Sequence, residues 1–212
     1  MDQIRHYLAG VQETLDRLPT DAIRQVINTL HEARQSKRTV FIMGNGGSAS
    51  TASHFVCDLA KNTRVAGWPD FRVIGLADNM ALVSAYGNDE GYHNVFARQL
   101  AAFVEAGDVV IAISTSGNSP NVLEAVRVAK EAGAFTIGFT GFDGGALAPF
   151  VDLDVHVPSD CIEQVEDIHL ILEHLMCSVL REMAQREMRR PPAVSVNGSG
   201  PRRVMVGTHP AG

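Results

Sequence analysis

Cysteine is scarce in this chain: Cys57, Cys161 and Cys177 are all there are in 212 residues, and no two stand in C-x-x-C spacing. An odd, scattered count excludes a disulfide framework and points to reduced thiols. No apolar stretch approaches the roughly 18–20 residues of a membrane span. The start, Met1-Asp2-Gln3-Ile4-Arg5-His6, lacks the basic segment and apolar run of a signal peptide. A cytoplasmic protein with no membrane partner is the expectation. Positive charge is short as well. The formal net charge is −6, and removing the four arginines of the acid-free last 25 residues (Arg189, Arg190, Arg202 and Arg203) leaves the remainder at −10. So acidic a body disfavours nucleic acid as a partner. Any anionic ligand must be held by local dipoles and hydrogen-bond donors.

What is present is the composition of one globular domain, 45% hydrophobic and 20% charged. Ile4, Leu8, Val11, Leu15 and Leu18 recur at helical spacing. After Pro19-Thr20-Asp21, the residues Ile23, Val26, Ile27 and Leu30 begin a second amphipathic helix that ends near Lys37-Arg38. An apolar helix pair ahead of any strand packs back on the core or on another subunit, and oligomerisation is expected through it.

A strand–loop–helix pattern follows. Short apolar strands are read at residues 39–43, 72–76, 108–113, 135–140 and 153–157. Helices are read from the first Gly-rich loop to about Lys61, from Pro120 to about Ala132, and from about Ile162 to Glu187. Near-continuous apolar strands alternating with helices specify a parallel sheet covered on both faces. The expected fold is α/β, a three-layer α/β/α sandwich with a five-stranded parallel sheet, preceded by the helix pair. The domain is placed at residues 1–188. Residues 189–212, rich in Pro, Gly and Arg without periodicity, read as a flexible tail.

In such sheets ligands sit at the carboxyl ends of the strands. Ser114-Thr115-Ser116-Gly117-Asn118-Ser119-Pro120 falls at one of those ends and places four hydroxyls in six residues. Gly117 and Asn118 permit tight backbone, Pro120 suits a first helical residue, and Ser119 is a plausible N-cap. Hydroxyls, free amides and a helix N-terminus together hold a phosphate without a metal or a lysine. The competing reading is an ordinary turn. Gly44-Asn45-Gly46-Gly47-Ser48 lies at a second strand end and favours the ligand. It is not a dinucleotide fingerprint, because position 49 is Ala and the acid some 20 residues on is missing. G-K-[ST] is also absent, so no nucleotide cofactor is expected.

Two helices carry ionisable side chains. His54 and Asp58 are i, i+4 on the helix leaving the Gly-rich loop, where a functional role is favoured. On the last helix Glu166, His169, Glu173 and His174 recur. Such pairs serve acid–base chemistry or a divalent metal. For His169 and Glu173 the favoured reading is salt-bridging along a solvated face.

These strings, with Gly87-Asn88-Asp89, Thr140-Gly141 and Asp167-Ile168-His169, resemble the sugar isomerase (SIS) domain family over residues 1–187. More narrowly they resemble its sedoheptulose 7-phosphate isomerase (phosphoheptose isomerase) group. The resemblance implies an aldose–ketose isomerase, a phosphorylated sugar as substrate, a homotetramer and, for several members, zinc. It implies that Asn45, Gly46, Gly47 and Ser48 line the sugar pocket and that Asn88 and Asp89 touch sugar hydroxyls. Ser114, Thr115, Ser116 and Ser119 would hold the phosphate. Asp58 takes the place of the family's catalytic glutamate, Glu166 that of a pocket glutamine, and His174 that of the catalytic histidine. Asp58 is thus assigned as base and His174 as acid, with Glu166 also in the pocket. His54, Asp58, Glu166 and His174 form a donor set that zinc accepts. Ser50-Thr51-Ala52 departs from a stretch where the enzymes usually carry an Asp. The rival reading is a non-catalytic SIS-domain protein that binds a sugar phosphate or docks in replication initiation. A third is an isomerase of another sugar phosphate.

Overall fold

The computed structural model describes residues 2–189. The expected flexible tail lies outside the described residues from position 190 onward.

Five parallel strands form one sheet: β1 (Thr39–Gly44), β2 (Arg72–Gly75), β3 (Val109–Ser114), β4 (Phe135–Thr140) and β5 (Leu153–His156). Their spatial order is β2-β1-β3-β4-β5. The order reverses between β1 and β3, so a crevice opens where those two strands end. The loops leaving those strands are the Gly-rich and Ser-rich segments.

The two faces of the sheet follow the two-residue period of a strand. Val40 and Ile42 of β1, with Ile111 and Ile113 of β3, pack under α2 (Thr20–Gln35), α3 (Gly46–Cys57) and α7 (Ile162–Arg189). Phe41, Met43, Val110 and Ala112 face α5 (Ala97–Ala101) and α6 (Pro120–Glu131). Strands β1 and β3 are buried at every position, which is why they read as unbroken apolar runs.

The N-terminal helix pair divides. α2 packs back on the core through Ile23, Val26, Ile27 and Leu30. α1 (Asp2–Asp16) lies against α7 and buries only Thr14, leaving Ile4 65% and Leu8 62% exposed. Between β2 and β3 the structure holds α4 (Met80–Asp89), a 3₁₀ turn (Tyr92–Asn94) and α5, none of which the sequence pattern announced. α4 buries no residue, so no apolar stripe marks it.

Candidate functional site

A cavity of about 390 Å³ occupies the crevice, within the size range of small-molecule sites. Asn45, Gly46, Gly47 and Ser48 form one wall, and Ser114, Thr115, Ser116 and Ser119 the other. Glu166 reaches in from the first turns of α7. Ile113, Phe142 and Ile162 complete the lining and were not singled out from sequence. Phe142 directly follows the Thr140-Gly141 pair and takes a left-handed backbone at φ 50°, the sort of strain that gathers at ligand sites.

The chain builds this cavity from two helix N-termini. α3 starts at Gly46 and α6 at Pro120, so both present unpaired amides and positive dipole ends toward the same space. Ser119 occupies the N-cap position of α6, yet its side chain makes no capping bond; its hydroxyl instead accepts from Ser114 Oγ at 3.4 Å. The hydroxyls thus stay available to a ligand. Gly117 (φ 63°) is required for a steric reason, since a Cβ there would strike the Gly144 carbonyl. At Gly47 a Cβ would meet the Glu166 carboxylate, which would have to swing aside. That carboxylate lies against the start of α3, where it opposes an anion and directs one toward α6.

About 9 Å of helical rise beyond Ser48, a second constellation forms between α3 and α7. His54, Asp58, Glu173 and His174 bring one donor atom each to within 4.8 Å of one another. The two imidazole Nε2 atoms are 3.3 Å apart. His54 Nε2 lies 3.8 Å from both Asp58 Oδ1 and Glu173 Oε1. His174 Nε2 lies 4.0 Å from Asp58 Oδ2 and 3.7 Å from Glu173 Oε2. Ligand atoms about 2.0–2.1 Å from a tetrahedral metal sit roughly 3.3–3.4 Å from one another, so the cluster is only slightly wider than a filled site. Asp58 stands where α3 gives way to a π-helical turn (Asp58–Asn62), closed by Thr63 N–H donating to Asp58 C=O at 3.1 Å. Such turns are frequent at functional sites.

Glu173 is the unexpected member. It is fully buried, and neither carboxylate oxygen has a hydrogen-bond partner among the described residues. Burial, and then the charge of Asp58, push its carboxyl up to about 8. Two orphaned buried oxygens facing a second carboxylate and two imidazoles are the environment that a divalent cation resolves. The expected donor set is therefore changed: Glu173, not Glu166, joins His54, Asp58 and His174, and Glu166 stays with the cavity.

The solvated-face reading of His169 and Glu173 is overturned, because both side chains are buried. Nε2–H of His169 donates to the Thr140 carbonyl at 3.3 Å, and burial pulls its imidazole down to about 4, so it remains neutral. A signal was present. Val165, Ile168, His169, Leu172, Glu173, Met176 and Cys177 trace one stripe at helical spacing, and all are buried.

Asn88 and Asp89 do not line the cavity. They close α4 on the exposed side, where Asn88 Nδ2 donates to Asp89 Oδ1 at 2.7 Å. Their segment reaches the site through Tyr92, whose hydroxyl donates to Asn45 Oδ1 at 3.0 Å.

A doubly wound sheet with a hydroxyl-lined crevice at its switch point defines the class, and residues 6–141 match the SIS domain family model. A phosphoheptose isomerase of Geotalea daltonii is 38% identical over 186 residues, covering 87% of this chain and 95% of that protein. The solved structure of a phosphoheptose isomerase from Francisella tularensis superposes with a TM-score of 0.79 at 31% identity, covering 85% and 97% of the two chains. That of Neisseria gonorrhoeae gives the same TM-score at 29% identity, covering 85% and 98%. The chain belongs to the phosphoheptose isomerase family of SIS-domain proteins.

Among the described residues no helix is long and apolar enough to cross a membrane.

Proposed function

We propose that this protein is an aldose–ketose isomerase that interconverts sedoheptulose 7-phosphate and a heptose 7-phosphate by proton transfer through an enediol. The observation that carries this reading is the meeting of Asp58 and His174. They are 116 positions apart in sequence, yet Oδ2 and Nε2 stand 4.0 Å apart, on the two helical segments whose first turns line the cavity. The names of the relatives agree with it.

Ser114, Thr115, Ser116 and Ser119 hold the phosphate at the N-terminus of α6, while Asn45, Gly46, Gly47, Ser48 and Glu166 receive the polyol. The carbon chain then runs along α3 and α7 toward the imidazole–carboxylate cluster. Asp58 removes the proton from C1 of the ketose as His174 gives one to the C2 oxygen. The proton on Asp58 then returns to C2 while His174 takes back the proton of the C1 hydroxyl, leaving an aldehyde at C1, both side chains restored and no net gain or loss of atoms. Gripping the phosphate far from the reacting carbons supplies orientation.

Zinc fits the N₂O₂ donor set of His54, Asp58, Glu173 and His174, and when bound it would stabilise negative charge developing on the substrate oxygens. Four carboxylate oxygens in the cluster leave acceptor capacity for the proton even then.

The test is a panel of ketose phosphates incubated with the protein in D2O and followed by NMR. Deuterium incorporation at the carbon next to the carbonyl of the seven-carbon ketose is expected. Exchange with a different sugar would rename the substrate, and binding without exchange throughout would establish the non-catalytic reading. Ser116→Ala removes one hydroxyl from a dianion, a charged hydrogen bond of about 1.5–3 kcal/mol. Affinity measured by calorimetry should fall about ten- to a hundredfold. An unchanged dissociation constant would move the phosphate elsewhere.

Assembly belongs to the same proposal. α1 presents Ile4 and Leu8 outward, and α7 presents Ile171 and Leu175; these faces suit a homotetramer of the 22.9 kDa chain. Light scattering at micromolar concentration should give four chains, and Leu8→Asp should lower that number. A monomeric wild type would end the claim.

A further inference from the structure

Asn121 stands one residue after Pro120 in the first turn of α6, only 2% exposed, and does not line the cavity. Its side chain forms a reciprocal amide pair with Asn45. Asn45 Nδ2 donates to Asn121 Oδ1 at 2.9 Å, and Asn121 Nδ2 donates to Asn45 Oδ1 at 2.8 Å. Asn45 Oδ1 also accepts from the Tyr92 hydroxyl at 3.0 Å. A carbonyl oxygen has two lone pairs, and both are now engaged. An amide nitrogen has two hydrogens, and only one is engaged. The side-chain group that Asn45 has left for the cavity it lines is therefore an N–H donor. A phenol O–H is a better donor than acceptor, so Tyr92 selects this orientation over the flipped amide. The pair also ties the Gly-rich loop after β1 to the first turn of α6, the helix that follows the Ser-rich loop.

We infer that Asn121 and Tyr92 are positioning residues: they lock the Asn45 amide so that it offers a hydrogen-bond donor, and the site selects a sugar with an acceptor oxygen at that point. The inference rests on the sugar-phosphate reading of the cavity. It adds two residues on separate elements that act on the ligand only through Asn45. Neither makes a charged contact, so each contributes a neutral hydrogen bond's worth of selectivity, about three- to tenfold.

The experiment is a double-mutant cycle on the full-length protein, reading kcat, KM, sedoheptulose 7-phosphate affinity by calorimetry, and melting temperature. Asn121→Ala is expected to raise KM about three- to tenfold with kcat changed less than about threefold. In the Asn45→Ala background the same substitution should do nothing further, because the amide it holds is gone. Tyr92→Phe, which keeps the ring at a position 59% exposed, should reproduce the pattern more weakly and keeps the test alive if Asn121→Ala does not fold. Equal effects with and without the Asn45 amide overturn the inference, as does a lowered melting temperature with KM and affinity unchanged. A wild type that binds the sugar phosphate without turning it over overturns the isomerase reading alone, since the cycle can still be read in affinity.

Discussion

Asp58→Asn is expected to leave ligand affinity within about threefold of wild type and to cut turnover by roughly 10²–10⁴, the usual worth of a positioned base. An amide matches a carboxylate in shape, so the packing of this nearly buried side chain survives. What disappears is the basicity, together with the negative charge that His54 and His174 face at 3.8 and 4.0 Å. The phosphate-holding serines lie on other elements, so binding and chemistry separate. If Asp58→Asn keeps turnover within a factor of a few, the base lies elsewhere. Glu173 then comes first, because it faces the same two imidazoles, and Glu166 second. Asp58→Glu should also be impaired: Glu173 already occupies the far side of the cluster, and a longer partner would crowd it. Deuterium exchange measured at saturating substrate distinguishes these cases, since it reports the proton-transfer step apart from affinity.

In protein stripped of divalent ions, stability should fall by on the order of a few kcal/mol as pH rises from about 4.5 to 8. The cause is Glu173, whose carboxyl is pushed up to about 8 by burial and by Asp58. Between the unfolded value and that folded value the native state holds a proton the unfolded chain has released. The unfolded state therefore binds fewer protons, and raising the pH favours it. Stability from this group is complete below the unfolded value and lost as pH passes through the folded one. Glu173→Gln should flatten the profile across this window, because a neutral amide has nothing to release. Adding zinc at pH 8 should raise the wild-type melting temperature and leave the Gln variant less affected, as a ligand that binds only the native state stabilises it by mass action. Urea melts across the pH range, with and without zinc, measure both effects. A flat wild-type profile, or a Gln variant with an undiminished slope, would remove Glu173 from the cluster.

The sheet was legible because its central strands are buried on both faces. Every residue of β1 and β3 is apolar or small, and each short run gives way at once to a loop rich in Gly or Ser. The two loops were legible because hydroxyls, glycines and a proline at strand ends have few other uses. The helices at 80–101 were not, because α4 buries nothing and leaves no stripe to detect, and α5, at 5 residues, is too short to show a period.

For the site, the sequence by itself determined which residue types would stand at the strand ends, and that His54, Asp58 and His174 would ride on two helices. Local periodicity encodes which face of a helix is buried and how far along it a side chain lies. It does not encode how two helices more than a hundred residues apart are rotated against each other. Only the tertiary structure decided that Glu173, not Glu166, completes the cluster; that Glu166 rests on Gly47 instead; and that Asn121 holds Asn45. Each depends on the packing of α3 and α6 against partners distant in the chain. Glu166 and Glu173, seven residues apart, share nearly one face of α7, so how far that helix is slid along α3, about 10 Å between the two positions, decides which of them meets the cluster.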